Sequence, residues 1–301
     1  MVSILIPSRN EKYLINTIND ILLKATGNFE IIVILDGYIE PQLKPSKNLK
    51  IIYHKEPLGT RKSINEAIKL AKGEYIFKTD AHCMFSDGFD QILSRDYEKG
   101  TVTTLSRYSL DPDTWTKFKG PISYEYIAYP FDGRKRIGGL TPKKWVGPNG
   151  NDSNDLFWME KQRRNILIDE IQTCNGACWF LEKKLFEEFG GMDERLWSFH
   201  IDAVELGFKA WLSGGKLLIN KNAWHAHWWK SEKKRTVKLN WDVMGSVAAY
   251  STWYWMNDQW PKQKRSFEWF IEKFWPIPGW PDNWRAERDR FEKPILIEAT
   301  A

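Results

Sequence analysis

Asp80 and His82 are the first residues in this chain whose types and spacing could do chemistry. They close the apolar run Tyr75-Ile76-Phe77-Lys78-Thr79 and precede the loop Ser86-Asp87-Gly88. In an extended segment residues i and i+2 point the same way, so a carboxylate and an imidazole two apart can converge on one point. That donor pair suits a divalent cation of the Mn or Zn type better than Mg or Ca. The plain alternative is a strand-end hydrogen bond. Ligands of open α/β sheets gather at strand carboxyl ends, which favours a site here.

The elements that must position this pair are legible on either side of it. Val2 to Ile6 is a β-branched run halted by Pro7, and Tyr13, Leu14, Ile18, Ile21 and Leu22 follow at helical spacing. A second apolar strand, Phe29 to Leu35, ends in Asp36-Gly37, and Leu49 to Tyr53 reads as a third. Leu58-Gly59-Thr60 opens a helix with Ile64, Ala67, Ile68 and Ala71 on one face, and Glu74 to Thr79 is the fourth strand. Near-continuous apolar strands alternating with helices predict an α/β fold with a mostly parallel sheet covered on both faces. The first strand lacks Gly-x-Gly-x-x-Gly, and no Gly-Lys-Ser/Thr phosphate loop occurs, which disfavours dehydrogenase and P-loop chemistry.

Further along, Ser106 to Gln172 is irregular and rich in Pro, Gly, Lys and aromatics, as functional insertions often are. Trp179-Phe180-Leu181 reads as a strand, Glu182 to Phe189 as a helix, and Met192 to His200 as a loop. Asp202, Glu205, Phe208, Lys209 and Leu212 recur at helical spacing until Ser213-Gly214-Gly215, and Lys216 to Ile219 reads as a short strand. Beyond it stands Trp224-His225-Ala226-His227-Trp228-Trp229. After Lys238 the pattern is helical with Pro-rich breaks, and about half of the 17 tryptophans lie there.

The 301 residues are 42% hydrophobic and 28% charged, a globular composition, with a formal net charge of +5 that is compatible with an anionic ligand. The three cysteines, Cys83, Cys174 and Cys178, form no disulfide or zinc framework, so a reducing compartment is expected. No apolar run reaches the roughly 20 residues of a membrane span. A start directly on a strand lacks a signal-peptide pattern, and the expected location is cytoplasmic.

The blocks together resemble a known family. Val2-Ser3-Ile4-Leu5-Ile6-Pro7-Ser8-Arg9-Asn10-Glu11 resembles the opening strand and loop of family 2 glycosyltransferases with the GT-A fold, a nucleotide-sugar-binding, Rossmann-like architecture. Glu30 to Gly37 resembles their second strand, Gly59 through Asn65 to Ala67 their helix beside the donor, and Asp80-Ala81-His82 falls at their metal motif. With His as its third residue, that motif is similar to the polypeptide N-acetylgalactosaminyltransferases. The likeness continues through Asn175-Gly176-Ala177, Phe186 to Asp193, Asp202 to Gly215 and Ala226-His227-Trp228-Trp229-Lys230. Residues 1–230 would then be the GT-A domain and 231–301 a Trp-rich helical appendage that packs on it and shapes the acceptor side, an oligomer interface being the plain alternative. Two departures stand out: His200-Ile201 occupy the place of two family glycines, and no lectin module follows.

The resemblance implies a metal-dependent transfer of a sugar from a nucleotide sugar, UDP-linked, to a hydroxyl acceptor, with retention. It implies that Asp80, His82 and His227 hold a divalent ion, Mn in preference to Mg, although His225 lies within reach of the same role. Pro7, Arg9, Glu11, Asp36, Arg61, Asn65, Asp80, Asn175, Gly176 and Ala177 would line the donor site. Asp202 and Glu205 are the candidate catalytic acids. An inverting reaction would need one of them, Asp202 first, as base, whereas in a retaining one Asp202 would orient sugar hydroxyls. Either acid could instead simply cap its helix. Arg134, Arg136, Trp197, Trp228 and Trp229 are placed on the acceptor side.

The acceptor stays open between a glycan or protein and a nucleic acid carrying hydroxymethylated pyrimidines, since basic residues and aromatics suit both sugar stacking and base extrusion. A non-catalytic glycan- or nucleic-acid-binding module is the reading from another class, and an intact set of three metal-type ligands argues against it. The oligomeric state is not readable from the sequence.

Overall fold

A computed structural model describes residues 1–131, 139–150, 152, 154–197, 201–238 and 240–297, so Arg134, Arg136 and His200 lie outside the described residues. The first half of the chain alternates β1 (Val2–Ser8), α1 (Leu14–Lys24), β2 (Phe29–Asp36), β3 (Leu49–His54), α2 (Thr60–Leu70) and β4 (Tyr75–Thr79). β5 (Cys83–Phe85), α3 (Phe89–Arg95) and the long β6 (Thr101–Asp111) follow. The stretch that reads as irregular contains β7 (Thr116–Ile122), β8 (Glu125–Ile127), β9 (Pro142–Lys144), α4 (Trp158–Gln162) and β10 (Ile168–Glu170). The chain then runs through β11 (Cys178–Glu182), α5 (Lys183–Glu188), α6 (Asp202–Leu212) and β12 (Lys216–His227) to α7 (Trp241–Met256), α8 (Phe267–Lys273) and α9 (Trp284–Arg290).

One sheet runs β10-β12-β6-β11-β4-β1-β2-β3, with β5 paired to β12 and β7 to β6. The expected mostly parallel core is there. β3, β2, β1 and β4 are parallel, as are β6 and β12, and β11 runs antiparallel between the two groups. The apolar strands are continuous because both faces are covered. Along β1, Ile4 and Ile6 face one hydrophobic cluster with α1 and α3, while Leu5 faces the other with α2 and α6. β2 splits in the same way, Ile31, Val33 and Leu35 to one side and Ile32 and Ile34 to the other.

The short strand at Lys216 to Ile219 proves to be the start of a strand that continues to His227. Its register against β6 shifts between Asn220 and Trp224, and the polar run Asn220-Lys221-Asn222 hides the continuity in the sequence. Pairing resumes at His225↔Arg107 and His227↔Ser109 on one side and at His227↔Cys83 on the other. This extension brings His227 beside β5, the strand that begins directly after the turn carrying Asp80 and His82.

The Trp-rich C-terminal helices belong to the same hydrophobic cluster as α2 and α6. Phe208 of α6 lies 5.2 Å from both the Trp255 and Phe270 rings, and Trp280 meets Trp284 edge to face at 5.6 Å. Every residue of α6 is buried, its three charged side chains Asp202, Glu205 and Lys209 included. No helix among the described residues is long and apolar enough to cross a membrane. Trp255 is 1% exposed and touches both α6 and the loop at Trp260. Trp255→Ala is therefore expected to cost about 3–5 kcal/mol of folding free energy, read as a lowered urea midpoint with unchanged slope.

Candidate active site

The carboxyl ends of β1, β2 and β4, the N-terminus of α2, the turn before β11 and the segment after β12 enclose a cavity of about 530 Å³. At its floor Asp80, His82 and His227 each offer a ligand atom, all within 4.8 Å of one another. His82 Nε2 faces His227 Nε2 at 3.1 Å, and His227 Nε2 lies 3.3 Å from Asp80 Oδ2. Burial pushes the His227 pKa down to about 4, with Asp80 opposing, so this imidazole is neutral at neutral pH and offers a lone pair. Burial would raise the Asp80 carboxyl, but Lys78 and the two imidazoles overcome it and hold Asp80 well below the carboxylate range. A neutral imidazole and an ionised carboxylate converging beside a second imidazole are a donor set that fits a Mn-type cation.

Glu11 stands behind this group. Its Oε2 lies 3.3 Å from His82 Nδ1 and its other oxygen accepts from Lys230. Burial works against its charge, yet His82 and Lys230 keep it ionised below the usual range. A carboxylate on the far nitrogen of a ligating His orients the ring and raises its basicity. Thus Glu11 lies on the cavity wall but supports His82. His225 does not join the group: its Nδ1 lies 3.2 Å from Cys178 Sγ, inside the sheet. Burial pushes the Cys178 thiol up to about 12, as befits a packed, unreactive cysteine.

The donor-side expectations divide. Pro7, Arg9, Asp36, Asn175 and Gly176 line the cavity, with the Arg9 guanidinium 5.6 Å from the Trp197 ring centroid. Asp36 has both oxygens engaged, accepting from the Leu58 and Gly59 amides at 2.7 and 3.0 Å and from His54 Nδ1 at 2.9 Å. It anchors the turn into α2 as well as walling the site. Ala177 is fully buried and its carbonyl accepts the Asp80 amide at 2.9 Å, so its backbone, rather than its side chain, serves the site.

Three expectations are corrected. Arg61 does not line the cavity: it is 1% exposed, and donates to Glu205 at 2.9 Å and to the Leu196 carbonyl at 2.6 Å. Glu205 is not a catalytic acid in this arrangement, for it is 0% exposed between Arg61 and Lys209 and accepts the Asp193 amide. Burial would raise its pKa, and the two cations hold it down. Asn65 braces the loop at Met192, exchanging hydrogen bonds with that residue's carbonyl and amide at 2.9 and 2.8 Å. Each is polar because the interior needs a satisfied partner, and helical spacing alone did not separate that need from ligand contact.

Asp202 does line the cavity, 5% exposed. Its Oδ1 accepts the Ala203 amide at 2.9 Å in the first turn of α6, while the N-cap position itself falls on Ile201, which makes no side-chain cap. Burial raises its carboxyl, Lys78 opposing. A Cβ on Gly176 would come within 2.3 Å of Asp202 Oδ1, so that turn needs glycine to approach the acid. Ile201, ahead of it, has φ +65°, the left-handed conformation that glycine takes without cost, and its side chain faces the cavity. Trp197, Trp228 and Trp229 also line the cavity, with Arg235 and Lys238 from the following segment.

The residue that sequence reasoning missed is Lys78. It is 2% exposed, and its ammonium donates to Asp80 Oδ1 and the Gly176 carbonyl, both at 2.7 Å, and to Asp202 Oδ2 at 3.2 Å. Burial disfavours its charge, but Asp202 and Asp80 more than offset this and raise its pKa. A lysine inside an otherwise apolar strand was the available signal, since such a charge is buried only when paired.

This sheet and this site define a GT-A glycosyltransferase architecture, and a crystal structure described as GalNAc-T7 with UDP, GalNAc and Mn2+ shares the fold. It matches with a TM-score of 0.68 at 17% identity, over 91% of this chain and 56% of that one. The chain belongs to Glycosyl transferase family 2, whose sequence model it matches over residues 3–190. Among curated proteins it is similar to polypeptide N-acetylgalactosaminyltransferase 3 of Mus musculus, 26% identical over 274 residues, covering 85% of this chain and 41% of that protein. The Homo sapiens protein of the same name is 25% identical over 272 residues, with the same coverage. The chain thus spans under half the length of these relatives.

The two acids of α6 should behave differently when neutralised. Glu205→Gln leaves Arg61 and Lys209 buried without their shared counter-ion and should destabilise by about 3 kcal/mol or more, seen in urea unfolding. Asp202→Asn, at the cavity wall, should lower turnover with a much smaller shift of the same midpoint.

Proposed function

We propose that this chain transfers a sugar from a UDP-linked nucleotide sugar to a hydroxyl on a glycan or protein, with retention of anomeric configuration. The observation that carries the reading is the convergence of Asp80, His82 and His227 at the floor of a cavity walled by strand carboxyl ends and an α2 N-terminus. A divalent ion held by these three, Mn by preference, would supply positive charge against the departing diphosphate. Lys230, Arg235 and Lys238 line the same cavity and match a polyanionic donor. Arg9, expected on the donor side, and Trp197, expected on the acceptor side, stand together as a cation–aromatic wall of the cavity.

In the retaining course, the bond from the anomeric carbon to the phosphate oxygen breaks and a bond to the acceptor oxygen forms on the same face. The acceptor proton passes to the departing phosphate oxygen, so the reaction needs no protein base. This agrees with Asp202, whose oxygens are already occupied by Lys78 and the Ala203 amide and whose remaining lone pairs can orient sugar hydroxyls. Trp228 and Trp229 form the acceptor side, where aromatic faces stack on sugar rings or pack on a peptide.

Hydrolysis of a panel of nucleotide sugars, with Mn and with EDTA, tests this in the native chain and in His82→Ala. Turnover of one donor that needs both the metal and His82 is expected, and failure to turn over any donor would refute the reading. Offering peptides, glycans and hydroxymethylated DNA with that donor then assigns the acceptor, and transfer to DNA alone would replace the glycan or protein proposal.

A further inference from the structure

The cavity holds two carboxylates, and only one of them belongs to the metal-type group. Asp80 and Asp202 share the Lys78 ammonium, which spends its three N–H groups on Asp80 Oδ1, Asp202 Oδ2 and the Gly176 carbonyl. Asp80 Oδ2 is left facing His227. Asp202 is turned the other way, with Oδ1 on the Ala203 amide and against Gly176. Without the ammonium nothing would tie Asp202 Oδ2 down between Asp80 and α6, and a second carboxylate would be free to turn toward the three ligands that now converge. A six-coordinate cation such as Mn2+ keeps three positions for exchangeable groups beside three protein ligands and only two beside four.

We infer that Lys78 is a positioning residue that divides the two acids: it presents Asp80 through one oxygen to the cation and keeps Asp202 out of the coordination shell. The cation then retains open positions for diphosphate oxygens, and Asp202 stays with the sugar. This rests on the reading of Asp80, His82 and His227 as the metal group. The position also sets the cation affinity, because a fixed positive charge bonded to a ligand carboxylate opposes a second one a few ångströms away. Tight metal binding is thereby exchanged for an open site.

The test is titration of the intact chain with Mn2+ alone, followed by calorimetry and by the Mn2+ electron paramagnetic resonance signal, with UDP as the probe of open positions. Lys78→Met and Lys78→Gln should bind Mn2+ about tenfold more tightly or better, and the Mn-loaded variants should bind UDP about tenfold more weakly. Asp202→Asn in the native Lys78 background should leave Mn2+ affinity within about threefold, since Asp202 is then not a ligand. Combining Lys78→Met with Asp202→Asn should remove most of the gain. A purely structural lysine would weaken Mn2+ and UDP together, and that result in a folded variant overturns the inference. So does a large loss of Mn2+ affinity on Asp202→Asn alone, an outcome independent of whether the Lys78 variants fold. If the native chain binds no Mn2+, the metal reading itself fails.

Discussion

The buried triad of Arg61, Glu205 and Lys209 is the interaction on which the rest of the site depends. Glu205 accepts from Arg61 at 2.9 Å and from Lys209 at 2.6 Å, and all three are at most 5% exposed in their side chains. Arg61 sits in the first turn of α2 and Glu205 in the first turn of α6, so the pair ties together the two helix N-termini that face the cavity. The same cations reach outward: Arg61 to the Leu196 carbonyl and Lys209 to the Gly191 carbonyl, which pins the loop carrying Trp197. Such a network costs desolvation and is retained where geometry matters, because removing one member strands the others. Here the geometry concerned is the placing of Asp202 one turn before Glu205.

Much of this was legible in the sequence, for identifiable reasons. The first four strands are legible because both sheet faces are covered and their runs are nearly continuous in apolar residues, broken only by single polar positions such as Ser3, Glu30, Lys50 and Lys78. Asp80 and His82 could be paired from their spacing, although it is the turn between β4 and β5, rather than an extended strand, that brings them together. His227 could not be placed that way. Its strand carries a polar run of three residues at a register shift in the middle, and only the pairing of β12 with β5 brings the imidazole to Asp80. The resemblance, rather than the periodicity, singled it out over His225, whose ring is committed to Cys178.

What stayed hidden was the destination of polar side chains in a helix with no exposed face. In α6 the charged residues Asp202, Glu205 and Lys209 are all buried, yet one lines the cavity and two are structural. The i,i+4 spacing of Glu205 and Lys209 was the available clue that these two satisfy each other. Asn65 and Arg61 were misplaced for the same reason, as a family motif marks a neighbourhood and not a direction. Lys78 shows the converse. Its strand reads as plain interior, and a single ammonium there changes what the two neighbouring acids can do.

Ile201 shows how the site tolerates local disagreement with backbone preference. A β-branched residue at φ +65° sits where glycine is at ease, immediately before Asp202. The left-handed conformation costs a β-branched residue about 1–2 kcal/mol, which the surrounding structure must supply. It can, because the residue is 8% exposed and belongs to the large hydrophobic cluster that also holds Trp255, Trp280 and Trp284. Burying an aliphatic side chain of this size contributes about 2 kcal/mol, enough to hold the strained turn. The aromatic C-terminal helices and the strained residue therefore belong to one hydrophobic cluster, in which α7 and α8 pack on α6 through Trp255, Phe267 and Phe270. A glycine there would relax the backbone but enlarge the cavity next to the acid, so the side chain at 201 narrows the space in which a sugar would meet Asp202.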